Sequence, residues 1–371
     1  MESTTPAAHE LPKKVDHTTD PDILRAYIRE GVKHVMMIRP GTEDQQSKYI
    51  KYMDLYTAVF NYCSLSRMPR SLVAENNLIG RRISVNMLGA DLYDYLVQYF
   101  TSYLKAPVEK LKSIDDGELL VYYADQWDVF STGGNNVNRA CAYLNRQWVK
   151  RERDQGKKDI YQIDMLALVL WRDQAFYPLQ NKLVTALLKV IENERNGKTI
   201  DTGLVQKVIN SFVSLSAIEK DEDKPQLDLY EREFQIPFIE ATERYYTLES
   251  AAFFQSHTIT VQEYIKKVEE RLREEEDRVE RYLHFSTRTK LISKCENVLL
   301  RAHLGKLQEH LQNLVDSDNS EGTTFNPCVD SYHESLSDNS EDVQRMRRLL
   351  SRIPGELESL SKELEEGAKD G

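Results

Sequence analysis

The sequence predicts an all-α protein built as an elongated, solenoid-like array of stacked helices. Three observations carry that prediction. Only 15 Gly and 11 Pro occur in 371 residues that are 40% hydrophobic and 29% charged, too few turn formers for a sandwich or a barrel. Apolar residues recur at helical spacings along most of the chain, and strand alternation is nowhere sustained. Connections between the patterned segments are short, so successive helices should pack as antiparallel neighbours. The chain is also longer than one hydrophobic core usually serves, so several packed units are expected.

Residues 1 to about 18 are small, polar and Pro-containing, and read as a disordered tail. Helical patterns follow over roughly 20–35, 46–66, 89–105, 117–131, 135–153, 159–176, 178–194, 201–215, 227–254, 259–283, 287–315 and 341–364. Asp116 and Gly117 open the fourth, "STGGNNVN" separates it from the fifth, and "ERNGKTIDT" (194–202) supplies a Gly stop followed by an Asp or Thr start. In the helix at 259–283, Val261, Ile265, Val268, Leu272, Val279 and Leu283 form one apolar stripe. Its other face, with Glu270, Arg271, Glu274 and Glu275, reads as a solvated surface of mixed charge. The stripe is too short for a coiled coil and is expected to pack within the chain. Residues 316–340 are rich in Ser, Asp and Asn, with "SDNSE" at 317–321 and again at 337–341. They read as a flexible loop or an inserted segment.

The net charge of -11, from 60 acids against 49 bases, argues against a nucleic-acid-binding chain, because phosphate neutralisation needs a basic surface. The nearest basic run, "VKRERDQGKK" (149–158), is interrupted by Glu152 and Asp154 and has no aromatic stacking residues beside it. No apolar run approaches the roughly 20 residues that span a bilayer. Cys63, Cys141, Cys295 and Cys328 are widely separated, with no C-x-x-C and no secretory leader, so reduced thiols in a soluble, intracellular protein are expected. Chemistry is hard to find. "NGKT" (196–199) resembles the tail of a P-loop, but the first glycine of that motif would fall at Glu192, inside a helix. His284, His303 and His310 lack zincin spacing and read as surface or capping residues, and no nucleophile signature surrounds any cysteine. A non-catalytic protein without cofactor or metal is expected.

The most informative helix is "KYMDLYTAVFNYCSLS" (51–66). Projection at 100° per residue puts Tyr49, Tyr52, Met53, Leu55, Tyr56, Val59, Phe60, Tyr62 and Cys63 on an arc of about 180°, whereas a core-facing stripe needs little more than about 100°. The surplus is either covered by neighbouring helices or left for a partner. A second helix favours the partner. In 135–152, Val137, Ala140, Cys141, Leu144 and Trp148 form one stripe, while Asn136, Arg139, Tyr143 and Gln147 share a face pointing away from it. A tyrosine in a polar rim beside an aromatic-rich helix suits a docking site, since the ring buries against a partner while the hydroxyl reaches a polar group.

At these residues the sequence resembles the N-terminal region of a cullin, over about 20–315 and again from about 340. The blocks that carry the likeness are "KYMDLYTAVFNYC", "CAYLNRQWVKRERDQGKKDIYQIDMLALVLWRDQAFYPL", "VIENERNGKTIDTGLV", "FIEATERYYTLES" and "YLHFSTRTKLISKCENVLLRAHL". They are most similar to the SCF-type cullin, scaffold of a RING ubiquitin ligase that works in ubiquitin-dependent protein degradation. The resemblance implies a stalk of five-helix cullin repeats: 19–155 as the first, 156–275 as the second, and 276–371 as an incomplete third carrying the insertion. It also implies a Skp-family adaptor with its F-box receptor docking on the second and fifth helices of the first repeat.

Carried over by position, Tyr52, Met53 and Tyr56 lie in "YMDLY" and Tyr143 in "CAYLNR". Phe60, Asn136 and Arg139 join them from the projection. A complete cullin continues into a C-terminal domain that holds the RING-box protein and is modified by Nedd8, so this chain is expected to be a truncated cullin that binds the adaptor arm alone. Alternatives are a BTB-type adaptor as partner, or a dominant-negative cullin fragment. A cytoplasmic and nuclear location is expected.

Overall fold

The computed structural model describes residues 14–39, 45–64, 85–218, 227–255, 260–310 and 338–353, and all regular structure among them is helical. The readings made for the first residues of the tail, the loop at 316–340 up to residue 337, the helix beyond 353, Cys328 and the side chain of Tyr49 lie outside the described residues.

Helix α1 (Pro21–Met36) begins where Asp20 accepts a hydrogen bond from the Asp22 N–H and Pro21 takes the first turn. Just before it, the end of the expected tail forms a turn in which the Asp16 carboxylate accepts from the Thr18 N–H at 2.8 Å. Helices α2 (Gln45–Ser64), α3 (Val85–Ser113) and α4 (Asp116–Ala140) follow. The break expected at "STGGNNVN" does not occur, because α4 runs through it. A Cβ on Gly133 would lie 2.6 Å from the Met36 carbonyl oxygen, and one on Gly134 would lie 2.8 Å from Ala167 Cβ. These glycines let α4 approach its neighbours closely instead of ending it. The break comes at Cys141, after which the chain resumes as α5: Ala142–Leu144, a π-helical turn at Asn145–Val149, and Lys150–Asp154.

A further π turn corrects the expected boundary between 176 and 178. Helix α6 is continuous through Ile163–Trp171, a π turn at Arg172–Phe176 and Tyr177–Arg195. Helix α8 repeats the device with Asp228–Tyr230, a π turn at Glu231–Gln235 and Ile236–Gln255. In both the next residue is followed by proline, Pro178 or Pro237. A proline lacks the N–H for an ordinary helical bond and its ring crowds the carbonyl four residues back. The wider turn answers this, since the N–H of the preceding residue closes a five-residue step, Tyr177 to Arg172 and Ile236 to Glu231. The helix therefore continues past the proline.

Between them, α6 stops as expected at Gly197, where φ is +81° and the Lys198 N–H reaches the Asn193 carbonyl. Helix α7 (Thr202–Ser216) starts where the Asp201 carboxylate accepts from the Leu204 N–H at 3.0 Å. Helix α9 (Val261–Arg281) opens on a capping box between Thr260 and Glu263. Helix α10 (Thr287–Leu299) ends in a 3₁₀ turn at Arg301–His303, which divides the helix expected at 287–315; α11 (304–310) and α12 (Asp338–Leu350) complete the described elements.

The helices form two compact units, one holding the described residues through Lys189 together with those of 211–228, the other holding 190–210 and those from Leu229 onward. In the first unit the core centres on Trp171, with the rings of Tyr123, Trp127 and Phe130 around it at 5.3–5.6 Å. Its indole donates to the Tyr123 hydroxyl at 3.2 Å, so the one polar atom of the ring is satisfied where it is buried.

The second unit overturns the solvated reading of α9 at Arg271 and Glu275, while Glu270 stays exposed and Glu274 partly so. The expected apolar stripe is inside from Ile265 onward, but Arg271, Glu275 and Arg278 are buried as well. Glu275 accepts from Arg195 at 2.9 and 3.2 Å, from Arg278 at 2.8 Å and from the Tyr246 hydroxyl at 2.6 Å. Arg278 also reaches Glu194 at 3.0 Å, and Arg271 binds Glu249 and Glu274. Burial opposes ionisation of Glu275, and the adjacent Arg195 and Arg278 guanidiniums overcome it, holding the carboxyl below its ordinary range. Buried charge is tolerated here because each ion meets several opposite partners.

Candidate functional site

Helix α2 is fixed from behind. Leu55, Ala58, Val59 and Tyr62 are buried, and the Tyr62 hydroxyl donates to Asp91 of α3 at 2.6 Å while accepting from Arg25 of α1 at 3.1 Å. This locks the roll of α2 and decides which residues face outward. Met53 and Phe60 remain 43% and 42% exposed, with Tyr52 and Tyr56 half-buried beside them. Burial raises the Tyr52 phenol above its ordinary range, and the nearby Arg139 guanidinium opposes the shift.

Helix α5 supplies the other side of this face. The Tyr143 ring meets Phe60 edge-on at 4.8 Å between centroids, and its hydroxyl accepts from Ser64 Oγ at 3.3 Å. Arg146 donates from Nη2 to the Tyr56 hydroxyl at 2.9 Å. The aromatic residues are thus held in place by contacts across α2 and α5, on a surface that still leaves apolar area in water. Such a preorganised patch needs little side-chain ordering when a partner arrives.

Six of the seven residues singled out in the sequence, Tyr52, Met53, Tyr56, Phe60, Arg139 and Tyr143, lie on these two helices and the end of α4 with at least partial exposure. Asn136 does not share their face. It is buried at 7%, and its side-chain amide donates to the Val35 and Ile38 carbonyls, at 3.2 Å each, at the end of α1. A helix C-terminus leaves carbonyls unpaired, and Asn136 satisfies two that would otherwise be buried without a donor. The projection failed because it started a new helix at 135, whereas α4 continues through that position and turns Asn136 toward α1. Arg146 was missed, although it stands three residues after Tyr143 in "CAYLNR".

Burial pushes the Cys63 thiol up to about 12 and raises Cys141 and Cys295 as well, so they stay protonated at neutral pH. His284 meets Ser286 at 2.9 Å in the turn after α9, and His303 packs on the Phe254 ring at 4.4 Å. Among the described residues no group of three or more His, Cys, Asp or Glu is placed to hold a metal, and no helix is long and apolar enough to cross a membrane.

The fold is that of a helical scaffold with a preformed aromatic surface, and comparison with known proteins places it. A family model described as the cullin alpha solenoid domain matches residues 25–370. The chain belongs to the cullin family. It is 38% identical over 316 residues to Cullin-1 of Dictyostelium discoideum, an overlap of 85% of this chain and 38% of that protein. To Cullin-1 of Caenorhabditis elegans it is 33% identical over 333 residues, 86% of this chain and 40% of the relative, and to Cullin-1 of Schizosaccharomyces pombe 34% over 327 residues, 88% and 39%. The chain spans about two fifths of the length of these relatives.

Proposed function

We propose that this chain is a non-catalytic scaffold of an SCF-type cullin-RING ubiquitin ligase and that the face of α2 and α5 docks a Skp-family adaptor carrying an F-box receptor. The observation that carries this reading is the exposure of Met53 and Phe60 within a fixed aromatic surface, on the two helices to which the family resemblance assigns adaptor docking. The work is positional. A stiff stalk holds substrate at a useful distance from the ubiquitin-transfer machinery and so raises effective concentration, with no side chain doing covalent chemistry. In this reading the stalk divides into repeats at 19–155, 156–275 and 276–371, the RING-box protein belongs to a full-length cullin, and the protein works in cytoplasm and nucleus.

Calorimetric titration of a purified Skp-family adaptor with an F-box segment into this chain tests the reading. Binding is expected, with loss in Tyr52→Ala/Met53→Ala of about 2 to 4 kcal/mol. Silence from a well-folded wild-type chain, or preference for a BTB-type adaptor in a parallel titration, would overturn it.

A further inference from the structure

The aromatic face carries a charge pattern opposite to that of the whole chain. Arg139, Arg146 and Lys150 are exposed along the end of α4 and through α5, interleaved with Tyr143. None of the three makes an ion pair among the described residues; Arg146 gives one of its N–H groups to the Tyr56 hydroxyl. Some exposed cations elsewhere find acids, as in Lys33 with Glu30, Lys112 with Glu109 and Lys290 with Glu231, while others such as Lys105 and Lys158 do not among the described residues. The sequence explains the difference. No Asp or Glu occurs from 129 to 151, and the single acid of α2, Asp54, lines a groove with Tyr27 and Lys33 of α1.

An apolar centre edged by cations that make no ion pair among the described residues, in a chain of net charge -11, fits a partner that is apolar at the centre of its contact and acidic at its edge. From this we infer that Arg139 and Arg146 are specificity-determining residues, which pair with carboxylates on the docked partner. This rests on the proposed docking role and adds the chemistry of the partner's rim. A guanidinium has five donors in a planar fork, so Arg146 can hold Tyr56 and a carboxylate together. Rim charges act on association rate and on the choice between partners more than on total affinity, and salt screens them. A partner with basic residues at the rim would be rejected by the same cations.

The test uses the full chain and a purified Skp-family adaptor with an F-box segment, titrated at about 50 mM and about 500 mM salt, where the screening length falls well below the size of the rim. Wild-type affinity should drop with salt. Arg139→Gln/Arg146→Gln should bind about tenfold more weakly at low salt and lose most of the salt dependence, and Arg139→Glu/Arg146→Glu should lose on the order of a hundredfold. Tyr56→Phe, which removes the hydroxyl held by Arg146 but leaves both charges, should keep the salt dependence. Far-ultraviolet circular dichroism checks that each variant is folded. Salt-independent wild-type binding overturns the acidic rim, even where Met53→Ala still abolishes binding and the docking face stands. No binding by folded wild type at either salt overturns the docking role and this inference together.

Discussion

Helices α2 and α9 invert the usual reading of hydrophobicity. The aromatic-rich α2 leaves Met53 and Phe60 in water, while α9, with charges over much of its length, keeps Glu275 at 0% exposure and Arg278 at 2%. In α9 each buried charge has a geometric answer, since Glu275 meets Arg195, Arg278 and Tyr246 at once. In α2, among the described residues, Tyr143 and Arg146 steady the apolar surplus without covering it. Burial therefore follows the supply of partners rather than polarity alone. One helix is finished inside its own unit, and the other keeps apolar surface exposed.

The sharpest way to break this comparison is Glu275→Ala. Removing the shared acid leaves Arg195 and Arg278 without their common partner, and a loss of about 3 to 5 kcal/mol of unfolding free energy is expected by chemical denaturation. A loss under about 1 kcal/mol would mean the network is not what justifies burying α9. Next in size is Phe60→Ala. Adaptor affinity should fall by about 2 kcal/mol while stability moves by little more than the loss of a partly exposed ring contact, about 1 kcal/mol or less. Comparable losses in both would make Phe60 a core residue and erase the contrast with α9.

Gly133→Ala probes the close approach of α4 to α1. Its new Cβ meets the Met36 carbonyl, and about 1 to 3 kcal/mol of overpacking cost should appear in thermal melts; a gain in stability would show that the helices part easily. Acid gives the gentlest probe. Glu275 and Glu194 are held below their ordinary value of 4.5. Their contribution is complete above that value and fades as pH falls through the lower folded-state values. Melting temperature should therefore drop below about pH 4 more steeply in wild type than in Glu275→Gln, where one of the two carboxylates no longer titrates. Parallel curves would remove Glu275 from the account.

The helical class, the Gly stop after α6, and the two-sided character of α2 were legible in the residues, because each depends on spacing or on backbone preference local to a few positions. The face itself was legible at Tyr52, Met53, Tyr56, Phe60, Arg139 and Tyr143 for the same reason. Asn136 was not, since its orientation depends on a helix that continues through two glycines, which allow it to pack closely against Met36 and Ala167. The π turns carried a signal in hindsight: an aromatic residue, five more, then X-Pro, at Trp171–Pro178 and again at Tyr230–Pro237.

By itself the sequence determined that this protein is a chain of amphipathic helices, that one of them carries more apolar surface than a core requires, and which family it resembles. Tertiary structure decided which charges are buried and which apolar side chains are not. Periodicity fixes the direction in which a side chain points along its own helix, but not what waits there. For Glu275 it is Arg195, 80 residues away in the chain; for Met53 and Phe60 the outward direction leads into solvent.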